Sequence, residues 1–152
     1  MTPIRTVAIL GAGHGGVAAA ADLTRRGYDV SLHARRADRL APLQAHGGVD
    51  VRGVHEGFVP LARLTTDIAE AVSGADLILL PTNWPSGARG SVLPLTQARA
   101  IENQAFAIGV NRCGADPGLR YDGRSCVFDP LGSPLCEATD QEQVLSLAID
   151  PE

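Results

Sequence analysis

The first residues of the chain change from a strand-like to a helix-like pattern of apolar positions. A continuous apolar run at residues 4–10 is typical of a strand buried on both faces. Residues 14–26 then place apolar side chains at helical spacing, with charged residues on the opposite face. Gly27 follows two arginines and suits the end of that helix. Residues 28–33 form the next predicted strand, so the pattern indicates a strand, a helix and a second strand in succession.

Shorter elements follow, up to a strongly apolar segment near the middle of the chain. Strands separated by helices at this spacing predict a doubly wound, mostly parallel sheet. The predicted elements are a helix at 37–45, a hairpin of 49–52 with 58–61, a helix that Thr66 or Asp67 caps and that ends at 72, and a strand at 75–80.

The second half continues with one more crossover and then with short strands. A helix and a strand after residue 80 predict a crossover that leaves the new strand parallel to residues 75–80. The expected fold class is therefore α/β, a three-layer sandwich with a mostly parallel sheet and a C-terminal antiparallel meander, in one domain over residues 1–152. The elements are a helix at 91–104, a strand at 106–111, a Gly, Asp and Pro-rich loop at 113–123, and meander strands at 125–129, 134–137 and 144–149.

The turn between the first strand and the first helix satisfies the pattern G-x-G-x-x-G. The first glycine permits a tight turn, the second leaves room for a pyrophosphate, and the third allows the helix to pack closely on the strand. The helix N-terminus then offers free N–H groups to phosphate oxygens. In this strand–turn–helix context the motif indicates a Rossmann-like dinucleotide site. Its candidate residues are Gly11, Ala12, Gly13, His14, Gly15 and Gly16.

Two arginines stand where an NAD site usually carries a carboxylate after the second strand. Arg35 and Arg36 could hold a ribose 2′-phosphate through forked hydrogen bonds, which favours NADP over NAD. The alternative is two solvated arginines at a helix start, and Asp38 nearby could still serve an NAD ribose. Pro81, near the end of the strand at 75–80, is a further candidate for cofactor binding. Asn83 and Trp84 come next, at the carboxyl end of a parallel strand, where ligands bind in open α/β sheets; loop packing is the slightly favoured role.

The composition of the chain excludes some classes of binding partner. A formal net charge of −4 argues against general nucleic-acid or anionic-membrane binding, and no apolar run is long enough for a membrane span. All 13 basic residues are arginines. We expect a cytoplasmic protein with no signal peptide, whose three cysteines, Cys113, Cys126 and Cys136, are reduced and serve mainly in packing.

Residues 4–80 resemble the NAD(P)-binding domain of opine (octopine) dehydrogenases. The resemblance rests on VAILGAGHGG at 7–16, TDIAEAV at 66–72 and GADLI at 74–78. It implies dinucleotide binding at the glycine turn. Enzymes of that family carry their catalytic groups on a separate substrate domain, which we do not expect within these residues.

Residues 74–152 resemble a different family, the nitrilase-superfamily carbon–nitrogen hydrolases. The resemblance is carried by GADLILLPTNWP at 74–85, RAIENQ at 99–104, GVNRCG at 109–114 and SCVFDPLG at 125–132. Both families place a strand after Gly-Ala-Asp, so the chain is interpreted as two halves, 1–80 and 74–152, joined at a shared strand. A recombined or engineered chimera is the favoured origin, and a natural chain is the alternative.

The catalytic groups that the second resemblance implies are a Glu base, a Lys and a Cys nucleophile. The chain has no lysine, and residues 50–73, where the nucleophile is expected, have no cysteine. The sequence therefore predicts an NAD(P)-binding domain without a complete catalytic apparatus. The alternatives are an amidase-like or dehydrogenase-like enzyme, and a purely structural protein without a ligand. No residue is assigned a catalytic or metal-binding role.

Overall fold

The computed structural model describes residues 3–87 and 92–149. The chain divides into two compact units. The N-terminal unit comprises Arg5–Asp76, and the C-terminal unit comprises the described residues of Leu77–Glu152 together with those of Met1–Ile4.

The N-terminal unit is built on a parallel sheet in the order β1-β2-β5. Its register places Val7 of β1 opposite Val30 of β2, and Leu32 of β2 opposite Leu64 of β5. A separate antiparallel hairpin is formed by β3 and β4. The elements are β1 (Thr6–Leu10), α1 (His14–Arg25), β2 (Asp29–His33), α2 (Ala37–His46), β3 (Gly48–Val51), β4 (Gly57–Pro60), β5 (Arg63–Thr65) and α3 (Ile68–Val72).

Helix α1 packs closely on the sheet because its inward residues are small. Gly16, Ala20 and Ala21 are its buried residues, and they carry at most a Cβ methyl group toward the strands. The helix ends before Gly27, whose φ of 91° is the left-handed conformation that glycine adopts at low cost. Both features were predicted from the sequence, and both are confirmed.

Side chains of aspartate fix two further points of the N-terminal unit. Asp67 caps α3 and accepts hydrogen bonds from the backbone N–H groups of Ala69 and Glu70, which confirms one of the two predicted caps. Asp76 Oδ2 accepts from the N–H groups of Arg5 and Thr6, each at 2.8 Å, and so ties the start of β1 to the end of the unit.

The strands of the C-terminal unit are hydrogen-bonded in the order β11-β10-β7-β6. Strands β6 and β7 are parallel and joined by α4, whereas β10 and β11 add to β7 in antiparallel fashion. The elements are β6 (Leu77–Thr82), α4 (Val92–Asn103), β7 (Phe106–Asn111), β8 (Cys113–Asp116), β9 (Leu119–Asp122), β10 (Cys126–Phe128) and β11 (Pro134–Glu137).

The helix and the first strands of this unit follow the sequence prediction, and the α/β fold class is confirmed. The parallel crossover from β6 to β7 and the antiparallel strands β10 and β11 lie where the apolar pattern placed them. Residue 91, the predicted first residue of α4, lies outside the described residues. No helix in the described parts of the chain has the length and apolar content needed to cross a membrane.

Two predictions of secondary structure are wrong, and one strand was not predicted. The loop predicted at 113–123 is the hairpin β8–β9, whose turn places Gly118 at a φ of 90° after Pro117. Residues 144–149 form no strand, and Val144 is 93% exposed. The short strand β5, which the apolar pattern does not indicate, completes the parallel sheet beside β2.

Candidate functional site

The glycine turn after β1 lies directly beside the end of β2. Gly11 adopts a φ of 140°, which side chains rarely tolerate, and its N–H donates to the carbonyl of His33 at 3.0 Å. This bond joins the first residue of the turn to the last residue of β2. The segment after His33 therefore starts next to the turn, as a dinucleotide site in this fold class requires.

The N-terminus of α1 is open above Gly13. Gly13 is the N-cap of the helix, with no side-chain capping bond, and the first turn carries no acidic residue. A Cβ built on Gly13 would have no atom within 4 Å, so the space above the backbone is free. The first N–H groups of a helix have no intrahelical partner, and together with the helix dipole they favour an anion. The residues present therefore fit a pyrophosphate.

Ala12 and Gly16 complete the turn in different ways. Ala12 is half-buried and lies between Gly11 and Gly13, whereas Gly16 is buried against the sheet. His14 and Gly15 are exposed at the first turn of α1. The six predicted residues thus share one turn: Gly16 packs against the sheet, whereas Gly13, His14 and Gly15 are exposed.

The two predicted phosphate-binding arginines differ in their contacts. Arg35 is exposed. Arg36 is also exposed, and its guanidinium binds both carboxylate oxygens of Asp38, with Nε–Oδ1 at 2.9 Å and Nη2–Oδ2 at 2.6 Å. A 2′-phosphate would have to compete with this carboxylate for Arg36. The pair is solvent-exposed, so the competition costs little.

The remaining candidate, Pro81, belongs to β6 of the C-terminal unit, where it is half-buried and pairs with Val110. Beyond that strand, the side chain of Asn111 fixes the loop at Trp84. Its Oδ1 accepts from the N–H of Trp84 at 2.8 Å, and its Nδ2 donates to the carbonyls of Trp84 and Gly123 at 3.2 and 3.0 Å. Asn111 is thus a structural residue of this loop.

A pocket of about 390 Å³ lies within the N-terminal unit, between α1 and the β3–β4 hairpin. It begins at Gly13 and His14 and also touches Arg39 of α2 and His55 of the hairpin turn. No pattern in the sequence predicts this pocket. The hairpin itself was predicted, but its position along α1 is a tertiary feature that periodicity does not reveal.

The cysteines of the C-terminal unit occupy structural positions. Cys126 is 2% exposed on β10, and burial raises the pKa of its thiol, against hydrogen bonds with Thr96 and the backbone of Gly109 that lower it. A protonated, buried thiol is a poor nucleophile. Cys113 and Cys136 are half-buried. Among the described residues there is no cluster of His, Cys, Asp and Glu suited to a metal ion.

Comparison with known families accounts for both halves of the chain. Residues 69–152 match the family described as carbon-nitrogen hydrolase, and residues 6–88 match the family described as NADP oxidoreductase, coenzyme F420-dependent. The chain belongs to both families. The two matches overlap at residues 69–88, which include β6. The resemblance of the first half to a dinucleotide-binding domain is thereby confirmed, through an F420- and NADP-related family instead of through opine dehydrogenases.

Several curated relatives are named as hydrolases or amidases. The "hydrolase in agr operon" of Staphylococcus lugdunensis is 38% identical over 80 residues, 53% of this chain and 34% of its own length. The 2-oxoglutaramate amidase of Bacillus subtilis is 34% identical over 77 residues, 51% of this chain and 30% of its own. The omega-amidase YafV of Yersinia enterocolitica is 44% identical over 64 residues, 41% and 25% respectively. The chain thus spans about a third or less of these relatives.

Solved structures of hydrolases match about half of this chain, as the curated relatives do. A CN-hydrolase superfamily protein of Xanthomonas campestris, with an arsenic adduct in its active site, is 45% identical and covers 51% of this chain and 29% of its own, with a TM-score of 0.48. An amidase mutant from Nesterenkonia is 38% identical, covers 48% and 28%, and has a TM-score of 0.43. The family assignment rests on the sequence matches.

Proposed function

We propose that this chain binds a nicotinamide dinucleotide at the glycine turn, with NADP(H) bound at least as tightly as NAD(H). The open backbone above Gly13, at the uncapped start of α1, is the observation that supports the proposal most strongly. The oxygens of the pyrophosphate accept hydrogen bonds from the free N–H groups of the helix N-terminus. The match of residues 6–88 to an NADP-related family supports the same assignment.

The preference for NADP(H) depends on the residues after β2. The end of β2 is bonded to the glycine turn, so Arg35 and Arg36 follow close to it in the chain. Their guanidinium groups recognise the ribose 2′-phosphate by charge-assisted hydrogen bonds. Arg36 is paired with Asp38 at 2.6 Å, and this proposal requires the phosphate to replace that carboxylate. We also propose Pro81 as a cofactor-binding residue, and a weaker affinity of Pro81→Ala for NADPH would support that role.

The variant Gly13→Val tests the site. The φ of Gly13 is −80°, which any residue adopts, and no atom lies within 4 Å of the added Cβ. The fold should therefore survive, while the branched side chain occupies the space of the pyrophosphate. We expect the Kd for NADPH, measured by calorimetry, to rise at least tenfold, about 1.4 kcal/mol.

The matched control is Ala41→Val, which places the same side chain on the exposed face of α2. It should leave the affinity for NADPH unchanged, and both variants should melt close to the parent chain. An unchanged Kd in Gly13→Val would show that the glycine turn is not the binding site.

We further propose that the chain is a recombined or engineered chimera, and that these 152 residues by themselves hydrolyse no amide or nitrile. Acyl transfer needs an activated nucleophile and a base within reach of it. The resemblance implies a Glu, a Lys and a Cys as catalytic groups, but this sequence has no lysine, and Cys126 is buried. The overlap of the two family matches at 69–88 supports a join near β6.

A carbon–nitrogen hydrolase is the second candidate function, because residues 69–152 match that family. Relatives are named as 2-oxoglutaramate amidase and omega-amidase, so the assay uses 2-oxoglutaramate, simple amides and simple nitriles. The control is the triple variant Cys113→Ala, Cys126→Ala, Cys136→Ala. We expect no turnover from either protein. Turnover that scales with the parent chain and is absent from the variant would establish the hydrolase.

A further inference from the structure

The pocket between α1 and the β3–β4 hairpin extends well beyond the glycine turn. It runs from Gly13 at the N-terminus of α1 to Arg25 at its end. A helix of 12 residues is about 18 Å long. The pocket therefore follows the length of α1, with a volume of about 390 Å³ that suits a small organic molecule.

The walls of this pocket are apolar on both sides. Val17, Ala18 and Ala21 line it from α1, and Val49 and Val51 line it from β3. These α1 residues recur at helical spacing, so they share one face of the helix. The hairpin is held near that face by a hydrogen bond from Arg25 Nη1 to the carbonyl of Glu56, at 3.2 Å. Two facing apolar walls favour a flat, apolar ligand.

The charges at the pocket favour an anion. Two carboxylates line the pocket: Asp22 is paired with Arg26, outside the lining, at 2.7 Å, and Asp50 Oδ2 lies 3.0 Å from His46 Nε2. Within residues 3–87 and 92–149, neither of the arginines that line the pocket, Arg25 and Arg39, is in a salt bridge. With Asp22 balanced by Arg26, the two arginines of the lining outnumber the remaining carboxylate, Asp50, so the net charge at this pocket is positive.

We propose that the pocket between α1 and the hairpin is a second binding site, for a small organic anion with a flat, apolar body. The apolar body lies between the walls of α1 and β3, and Arg39 attracts the anionic group. The site is distinct from the proposed dinucleotide site, because Arg35 and Arg36 do not line it. Ala12, Gly13 and His14 of the glycine turn border the pocket as well.

Two fluorescent probes test the proposal on the whole chain. Anilinonaphthalene sulfonate is anionic, and N-phenylnaphthylamine offers a similar ring system without the charge. The variant Ala18→Trp fills the pocket from an exposed position of α1, and Ala41→Trp is its control on the exposed face of α2. The variant Arg39→Gln removes the charge, and Arg52→Gln, an exposed arginine of the hairpin outside the lining, is its control.

The parent chain should bind the anionic probe more tightly than the neutral one. Ala18→Trp should weaken both probes at least tenfold, whereas Ala41→Trp should not. Arg39→Gln should weaken the anionic probe by roughly threefold, the range of an exposed charge contact, and leave the neutral probe and the Arg52→Gln control unchanged. Equal probe binding by Ala18→Trp and Ala41→Trp would refute the site. Equal affinity of the parent chain for both probes would refute the anionic class.

A parallel titration with NADPH separates this proposal from the proposed function. Ala18→Trp should bind NADPH like the parent chain. A loss of NADPH affinity as large as the loss of probe affinity would overturn the claim of a second site. If the parent chain binds no NADPH, the proposed dinucleotide function fails, and the probe results still decide the pocket.

Discussion

Removing the carboxylate of Asp76 should destabilise the start of β1 in a pH-dependent way. Asp76 Oδ2 accepts from the N–H groups of Arg5 and Thr6, each at 2.8 Å. The hydroxyl of Thr6 lies 2.7 Å from the same oxygen and 2.8 Å from the carbonyl of Gly74, and it donates to one of them at a time. The substitution Asp76→Ala leaves these donors to water or without a partner.

The magnitude follows from the number of bonds and their exposure. Hydrogen bonds to a charged group contribute about 1.5–3 kcal/mol each when they are buried. Asp76 is half-buried and Arg5 is exposed, so solvent screening lowers the total. We expect Asp76→Ala to lower the free energy of unfolding by about 1–2 kcal/mol, a fall in Tm of roughly 3–6 °C for a chain of this size.

The pH dependence has a definite sign. Burial by itself would raise the pKa of the Asp76 carboxyl, but the hydrogen bonds from Thr6 and Arg5 outweigh it and hold the pKa below its usual range. A carboxyl with a lowered folded pKa stabilises the fold fully above its unfolded pKa, about 3.9, and loses that contribution as the pH falls through the folded value. The difference between the parent chain and Asp76→Ala should therefore be largest near neutral pH and shrink in acid.

Thermal unfolding followed by circular dichroism across this pH range measures the effect, and amide hydrogen exchange at Arg5 and Thr6 locates it. The variant Asp76→Asn, which keeps one acceptor oxygen, should lose less than Asp76→Ala. Equal melting of the parent chain and Asp76→Ala at neutral pH would refute the reasoning. So would a difference that stays constant into strong acid.

Three further predictions concern packing, thiol access and cofactor preference. Gly109→Ala should cost about 1–3 kcal/mol of stability by thermal unfolding, because its Cβ would lie 2.5 Å from Thr96 Oγ1 and 2.7 Å from Val92 Cγ1, while the exposed neighbour Val110→Ala should be nearly neutral. In a thiol titration of the native chain Cys113 and Cys136 should react first and Cys126 only on unfolding, so fast reaction of all three would contradict its burial. Asp38→Asn should free Arg36 and tighten NADPH binding about twofold to fivefold relative to NADH, and an unchanged ratio would exclude Arg36 from 2′-phosphate recognition.

Most elements of the fold follow from local signals in the sequence. The glycine turn and the end of α1 at Gly27 were predicted at the positions where they occur, and Asp67 was one of the two predicted caps of α3. The crossover from β6 to β7 was predicted from a strongly apolar strand, an amphipathic helix and a second apolar strand.

The failures arise where pairing decides the structure. The hairpin β8–β9 turns at Pro117-Gly118, a favourable pair for a tight turn, but its composition was interpreted as a loop. Residues 144–149 carry a strand-like apolar pattern, yet no described strand pairs with them. The segment β5 has only three residues, and it becomes a strand through its hydrogen bonds to β2.

In the candidate site, too, local motifs were predicted and tertiary contacts were not. The sequence predicted the glycine turn and the arginines after β2, because motif spacing determines both. It did not predict that Asp38 binds Arg36, or that Arg39 and His55 line a pocket with α1. These contacts depend on side-chain rotamers and on the position of the hairpin, which no local pattern specifies.

Paired calorimetric titrations with NADPH and NADH test the central claim most directly. The account predicts that NADPH binds to the parent chain with a Kd equal to or lower than that of NADH, and that Gly13→Val weakens both. No heat of binding with either nucleotide, or an affinity tenfold higher for NADH, about 1.4 kcal/mol, would contradict it.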